Sequence, residues 1–228
     1  AYEIRNCDWS SDLCSSDLTS FMHGDNRQLA KVRAILEEIM PYADDRVREY
    51  ALPKIPLSWY LEGAEYHLSQ QYDKVLACYK NALKGFRELR KIDDEISVLR
   101  HIAEIKGTLY DVIGSENAYK QALYLSRQTG KSDAQMDILK ELWTIGKTMG
   151  DVQLAQAYAA SIDSLVDATS DLQTKYTYYN QKGNEARDLG QYGIAEQWYL
   201  RGKDIVECAD TKSVSANKHL SYSNLRNL

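Results

Sequence analysis

Between residues 54 and 209, large and small apolar side chains recur at the three- and four-residue spacing of an amphipathic helix. Turn signals such as Gly150-Asp151 and Gly190-Gln191 interrupt this spacing at regular intervals. The pattern therefore predicts pairs of helices, each pair joined by a short turn.

The helix pairs repeat with a period of 40 residues. Seven positions in the first pair match seven positions located 120 residues later, and two intermediate copies divide that distance into three. The string Tyr79–Leu83 recurs as Tyr119–Leu123. The matched positions are Trp59, Gly63, Tyr66, Tyr72, Val75, Tyr79 and Ala82, aligned with Tyr179, Gly183, Ala186, Tyr192, Ala195, Tyr199 and Gly202.

Two of the repeated positions are glycines inside predicted helices. Glycine costs about 1 kcal/mol relative to alanine in a helix interior, so Gly63 and Gly183 indicate places where two helices approach closely. We expect a facing tyrosine or tryptophan to fill the space that a Cβ atom would occupy. Tyrosine suits this seam because its ring can be buried while its hydroxyl reaches a polar group.

This order of aromatic and small residues resembles the tetratricopeptide repeat over residues 54 to 209. Departures occur at Lys106, at Trp143 and at Gly146, and the period exceeds the usual length of about 34 residues. The resemblance implies an all-α, right-handed αα superhelix of four hairpins, at about 54–92, 93–131, 132–170 and 171–209. Long repeats of this kind resemble the sensor or adaptor arms of larger bacterial regulatory proteins.

The flanking segments are predicted to differ from the array. Within residues 1–25, the string Ser10–Leu13 recurs as Ser15–Leu18 and resembles a translated sequencing adapter, so we expect a disordered or artefactual segment. Residues 26–53 read as degenerate helices, with an amphipathic stretch from Gln28 to Met40. Residues 210–228 resemble the first helix of a truncated fifth unit, which implies that the chain is a fragment.

Composition narrows the function classes. The chain has 228 residues, 28 basic and 33 acidic side chains, a net charge of -5, and only 12 Gly and 3 Pro. These values exclude collagen-like and Gly/Pro-rich disordered chains, and no apolar stretch reaches the roughly 18 residues of a membrane span. No known enzyme motif and no zinc-ligand spacing is present, so we expect no catalysis, no cofactor and no metal.

Several histidines, cysteines and aspartates can be interpreted either as functional or as structural residues. His67 and His101 could form a site with Glu65 or Glu104, although histidines lining a groove are the simpler interpretation. Cys78 and Cys208 are interpreted as small structural hydrophobes. The pairs Asp44-Asp45 and Asp93-Asp94 stand where helices begin, which favours helix capping over metal binding.

Ligand recognition is the remaining candidate activity. In tetratricopeptide arrays the first helices of successive hairpins line the concave surface, and here their outward positions are polar with a basic excess. This groove suits an acidic or carboxylate-bearing protein or peptide. Asn180 and Asn184, one helical turn apart, could hydrogen-bond the backbone of such a peptide. The candidate groove residues are Tyr60, His67, Arg100, Glu104, Lys140, Lys147, Asn180, Asn184 and Arg187.

The sequence thus predicts a non-catalytic protein- or peptide-binding scaffold. Self-association through exposed Tyr176, Tyr178 and Trp198 is an alternative. An all-helical enzyme is a remote one, because the repeat places Gly, Ala, Leu, Tyr and Trp in the interior. No recurring pair of base-reading residues indicates nucleic-acid binding, and no membrane contact is expected. The compartment, bacterial cytoplasm or periplasm, is left open.

Overall fold

The computed structural model describes residues 26–208 and 218–227. The first three helices precede or begin the array: α1 (Asn26–Ile39), α2 (Asp45–Ala51) and α3 (Lys54–Leu68). The others are α4 (Tyr72–Glu88), α5 (Ile92–Thr108), α6 (Val112–Gln128), α7 (Ser132–Thr148), α8 (Val152–Ala168), α9 (Leu172–Asp188), α10 (Tyr192–Cys208) and α11 (Lys218–Arg226). A 3-10 turn at Met40–Tyr42 contains Pro41 and follows α1.

The described residues form an all-α repeat of helical hairpins, as the sequence predicted. The hairpins are α3 with α4, α5 with α6, α7 with α8, and α9 with α10. Their second helices begin at residues 72, 112, 152 and 192, which are 40 residues apart. No β-strand occurs in these ranges, and none of their helices is long and apolar enough to cross a membrane.

The turn inside each hairpin has one conformation throughout the array. Residues 70, 110, 150 and 190 all adopt left-handed backbone angles, with φ of 55°, 62°, 73° and 73°. Glycine tolerates this conformation at positions 150 and 190, where the sequence predicted turns, whereas Gln70 and Tyr110 adopt it without that freedom. The hydrogen bond from the Asp151 amide to the Gly146 carbonyl, at 3.0 Å, closes such a turn.

Aspartates begin several helices by accepting hydrogen bonds from backbone amides. Asp44 accepts from the Val47 amide at 2.8 Å, which supports its interpretation as a cap. Asp111 accepts from the Gly114 amide at 2.8 Å and from the Lys106 ammonium at 3.0 Å. Lys106, a departure from the repeat pattern, therefore binds the cap of the following helix, and its hydrogen bond lowers the pKa of Asp111.

The seams between paired helices confirm the predicted close approach at glycine. A Cβ atom at Gly63 would lie 2.6 Å from the Tyr79 ring, and one at Gly183 would overlap the Tyr199 ring. The third hairpin makes its close approach at Gly146, where a Cβ atom would lie 3.1 Å from the Ala155 backbone nitrogen. In α7 the small residue of the seam is therefore Gly146, while the bulky Trp143 occupies the position where the other hairpins carry a small residue.

The chain forms two compact units, one ending at Lys131 and one beginning at Ser132. In the first unit, α1 packs on α3 through Leu36 and Ile39, which form an apolar cluster with Ala51. The helix predicted from Gln28 to Met40 is therefore present as α1. The prediction for residues 1–25 lies outside the described residues.

In the second unit, α11 packs on the last hairpin. Leu225 contacts a buried cluster of Ala186, Ala195 and Tyr199. The C-terminal helix predicted from Ser213 is described from Lys218 onward, and its earlier residues lie outside the described ranges.

Candidate ligand-binding surfaces

In the first unit, Tyr60 and Glu104 meet through a histidine that the groove prediction omitted. The Tyr60 hydroxyl lies 3.0 Å from His101 Nε2, and His101 Nδ1 lies 3.4 Å from Glu104 Oε2. The Tyr79 ring completes the group, with its centroid 5.6 Å from that of Tyr60 and 5.9 Å from that of His101. We call these four residues the Tyr60–His101 cluster.

Burial determines the ionisation of the tyrosines in this cluster. Tyr79 is fully buried, and burial raises its pKa to about 12. Burial also raises the pKa of Tyr60, with a smaller contribution from the Asp94 carboxylate. Both phenols are therefore neutral at physiological pH, and the Tyr60 hydroxyl remains a hydrogen-bond donor.

The other groove candidates of the first unit lie outside this cluster. His67 is half-buried, and its ring centroid is 6.2 Å from that of Tyr72, beside the hairpin turn. No contact among the described residues joins His67 to His101, so the structure does not assemble a two-histidine site. Arg100 is half-buried and already has a partner.

In the second unit, two lysine ammonium groups lie close to the ring of one tryptophan. The Lys147 ammonium lies 4.4 Å from the centroid of the Trp143 ring, and the Lys182 ammonium lies 5.7 Å from the same centroid. Lys140, three residues before Trp143 in α7, is exposed. We call Trp143, Lys140, Lys147 and Lys182 the lysine–indole surface.

The two groove asparagines are engaged inside the protein. Asn180 is 8% exposed, and its Oδ1 accepts a hydrogen bond from Asn224 Nδ2 at 3.2 Å. Asn184 Oδ1 accepts a hydrogen bond from the Tyr199 hydroxyl at 2.7 Å. Arg187 lies 3.2 Å from Asp188. In this structure the asparagines therefore hold α9 to α10 and α11.

The exposure expected for Tyr176 is wrong, because Tyr176 is 3% exposed and packs with Val206 in a buried cluster. Tyr178 and Trp198 are half-buried, with ring centroids 6.5 Å apart. The Tyr178 hydroxyl donates to Asp163 at 2.6 Å. Helical spacing alone could not predict that the Tyr176 side chain is buried, since α9 has neighbours on more than one side.

The cysteines differ in their surroundings. Cys78 is buried, and burial raises the pKa of its thiol to about 11, so the thiolate is scarce at neutral pH. Cys208, the last residue of α10, is exposed. No group of three or more His, Cys, Asp or Glu in the described part of the chain is arranged to hold a metal ion.

Sequence reasoning missed Lys182, named His101 as a groove-lining histidine without including it among the groove candidates, and noted Trp143 only as a departure from the repeat. A signal was present: the first, second and fourth hairpins pair a small residue with a tyrosine, at positions 63 and 79, 103 and 119, and 183 and 199. The third hairpin reverses the sizes, with Trp143 and Ala159. This reversal singles out Trp143, which is half-buried in the structure and therefore partly accessible at the surface.

No protein-family model matches the chain, and no curated protein matches its sequence. Among solved structures, the crystal structure of BtubC (BKLC) from P. vanneervenii is similar, with 18% sequence identity and a TM-score of 0.54. The similarity covers 87% of this chain and 80% of that chain. At this identity the likeness shows the fold alone, an all-helical repeat-like architecture, and membership of the tetratricopeptide family stays a prediction.

Proposed function

We propose that this chain is a non-catalytic scaffold of the tetratricopeptide type whose second unit binds an acidic or carboxylate-bearing peptide. The observation that carries the proposal is the placement of two ammonium groups, from Lys147 and Lys182, against the single ring of Trp143. The two lysines come from different hairpins, so the fold brings them together.

Like charges held near one another repel, and an anion bound between them relieves that repulsion. The Trp143 ring attracts each ammonium through its quadrupole and thereby keeps both at the surface. The nearest carboxylate partner of Lys182 is Glu185, at 3.8 Å, which is at the outer limit of an ion pair. A partner carboxylate at hydrogen-bonding distance would bind the ammonium groups more strongly than this contact does.

Lys140 extends the positive surface along α7. It is exposed, as is Lys147, and both project from a helix that also carries Glu141. The chain as a whole has a net charge of -5, so it does not attract polyanions over its entire surface. The local excess of lysines favours an acidic ligand at this one surface. The engagement of Asn180 and Asn184 within the protein leaves the lysines as the main recognition groups.

Fluorescein-labelled poly-L-glutamate of about 20 residues is a suitable probe, with binding followed by fluorescence anisotropy. We expect Lys147→Glu to weaken binding at least tenfold, which corresponds to about 1.4 kcal/mol, because it removes an attraction and adds a repulsion. Lys182→Glu should act in the same direction. Raising the ionic strength should weaken the wild-type complex, since these lysines are near solvent.

The matched control is Lys203→Glu. Lys203 also lies over an aromatic ring, 5.4 Å from the Tyr222 centroid, and it pairs with Glu207 on the second helix of the last hairpin. This variant changes the net charge by the same amount away from the lysine–indole surface. Equal losses in Lys147→Glu and Lys203→Glu would show that only overall charge matters, and the proposal would then be wrong.

A further inference from the structure

The Tyr60–His101 cluster has the opposite charge character from the lysine–indole surface. Three aromatic rings from α3, α4 and α5 lie with centroids 5.6 to 5.9 Å apart, and a carboxylate stands at their outer edge. The side chain of His101 is 39% exposed and that of Glu104 is 57% exposed, so a ligand can reach both.

Two carboxylates near this cluster lack a permanent positive partner. Glu104 meets only the imidazole of His101, and in the described part of the chain neither Glu104 nor Asp94 forms an ion pair with lysine or arginine. Asp94 is close enough to Tyr60 to raise the pKa of its phenol. The charged side chains that act on the two tyrosines of the cluster, Asp94 on Tyr60 and Glu104 on Tyr79, are both carboxylates, and the faces of the rings are electron-rich.

Hydrogen bonds fix the orientation of the rings. The Tyr60 hydroxyl is within hydrogen-bonding distance of His101 Nε2, and His101 Nδ1 is within that distance of the Glu104 carboxylate. Because a carboxylate only accepts, a neutral His101 paired in this way carries its proton on Nδ1 and accepts from Tyr60 at Nε2, which keeps one Glu104 oxygen available for a second donor. Tyr79 supports Tyr60 from below, with an angle of 25° between the two ring planes.

We infer that the Tyr60–His101 cluster binds the guanidinium group of an arginine side chain in the partner peptide. A guanidinium is planar, so it stacks on phenol and imidazole rings while its N–H groups donate to a carboxylate. An ammonium has no flat face for such stacking and is more strongly hydrated, so it should bind less well. This inference rests on the proposed function as a peptide scaffold, and it adds arginine to the acidic groups that the second unit would recognise.

The probe is N-acetyl-L-argininamide, titrated into the protein while the histidine Cε1–H resonances are followed by NMR. The chain has 4 His, and the His101 resonance is the one that disappears in His101→Gln. We expect this resonance to move saturably, with little movement of the others. N-acetyl-L-lysinamide should bind at least threefold more weakly, and equal affinity would overturn the assignment to guanidinium.

Three variants test the roles of the side chains. Glu104→Gln should weaken binding of the arginine probe about tenfold, whereas Glu141→Gln, an equal charge change at an exposed position of α7, should leave it unchanged. Tyr60→Phe keeps the ring and should retain binding within about twofold, while Tyr60→Leu should lose it. Circular dichroism of each variant establishes that the helices are intact.

The absence of a saturable shift, or wild-type affinity in Glu104→Gln, would overturn the inference. These outcomes are independent of the poly-L-glutamate measurement, because the two probes have opposite charge and report on different units. If wild-type protein binds poly-L-glutamate but not N-acetyl-L-argininamide, the Tyr60–His101 cluster is refuted as a site. If it binds the arginine probe but not poly-L-glutamate, the lysine–indole surface is refuted.

Discussion

At the scale of single residues, three tyrosines of the second unit combine a buried or half-buried ring with a hydrogen-bonded hydroxyl. A buried ring gains the hydrophobic free energy of transfer, but a phenol without a partner would lose much of that gain. Burial and the bond to Asp167 raise the pKa of Tyr179 to about 12. These three hydroxyl pairs are Tyr178 with Asp163, Tyr179 with Asp167, and Tyr199 with Asn184.

Gly183 is the most sterically constrained glycine of the last hairpin. An added Cβ atom would overlap the ring of Tyr199, which is fully buried and bonded to Asn184 and so cannot move aside. We expect Gly183→Ala to lower the free energy of unfolding by about 1–3 kcal/mol, as overpacking does in well-packed cores. Urea denaturation followed by circular dichroism measures this as a lower midpoint.

Gly193→Ala is the control for that substitution. Gly193 lies in α10, and a Cβ atom there would meet nothing within 4 Å. Alanine has the higher helix propensity, so this variant should be unchanged or more stable by up to about 1 kcal/mol. If both glycine variants were equally stable, the close approach of α9 and α10 would be incorrect.

At the scale of elements, a buried arginine joins α1 to the first hairpin in addition to the apolar contacts of Leu36 and Ile39. Arg33 is 6% exposed, its Nη2 atom lies 2.7 Å from Glu62 Oε2, and its Nη1 atom donates to Ser58 Oγ at 3.3 Å. The guanidinium also lies 3.3 Å from the centroid of the Trp59 ring. A helix outside the repeat is thus attached by a charge that is costly to bury without its partner.

Removing Arg33 should therefore destabilise the protein strongly. We expect Arg33→Ala to cost about 3–5 kcal/mol in the free energy of unfolding, because Glu62 would remain buried without its counter-charge. Replacing both members, as Arg33→Met with Glu62→Leu, should recover most of that loss. The measurement is urea denaturation of both variants.

Arg48→Ala is the matched control for the arginine. Arg48 lies in α2, and its side chain is 45% exposed, with Asp45 at 3.9 Å. Exposed ion pairs of this kind contribute about 0–1 kcal/mol. A loss in Arg33→Ala no larger than that in Arg48→Ala would contradict the role of the buried pair.

At the scale of the whole molecule, a repeat protein gains its stability from each hairpin and from contacts between neighbours. The helices of this chain fall into two compact units, residues up to 131 and residues from 132. A substitution that destabilises one hairpin should therefore destabilise mainly the helices of its own unit. This behaviour differs from that of a domain with one central core, which unfolds as a whole.

Hydrogen exchange with mass spectrometry can distinguish these behaviours. In Gly183→Ala we expect faster amide exchange in α9, α10 and α11, with little change in α1 to α4, because opening is local in repeat arrays. Wild-type protein under the same conditions is the reference. A uniform increase across all helices would show that the chain unfolds as a single cooperative block.

The sequence by itself determined the all-α repeat, its 40-residue period and the seams at Gly63 and Gly183. These features depend on contacts within one helix or between two adjacent helices, and such contacts repeat along the chain. The tetratricopeptide assignment and the ligand stay predictions, because recognition groups vary from one hairpin to the next.

Only the tertiary structure decided which side chains meet between hairpins. It brought Lys182 to Trp143, placed His101 between Tyr60 and Glu104, and buried Tyr176 and Asn180. The physical reason is that a helix in a repeat array has neighbours on several sides. Helical periodicity identifies an apolar face, but it does not specify which distant residue each remaining side chain will contact.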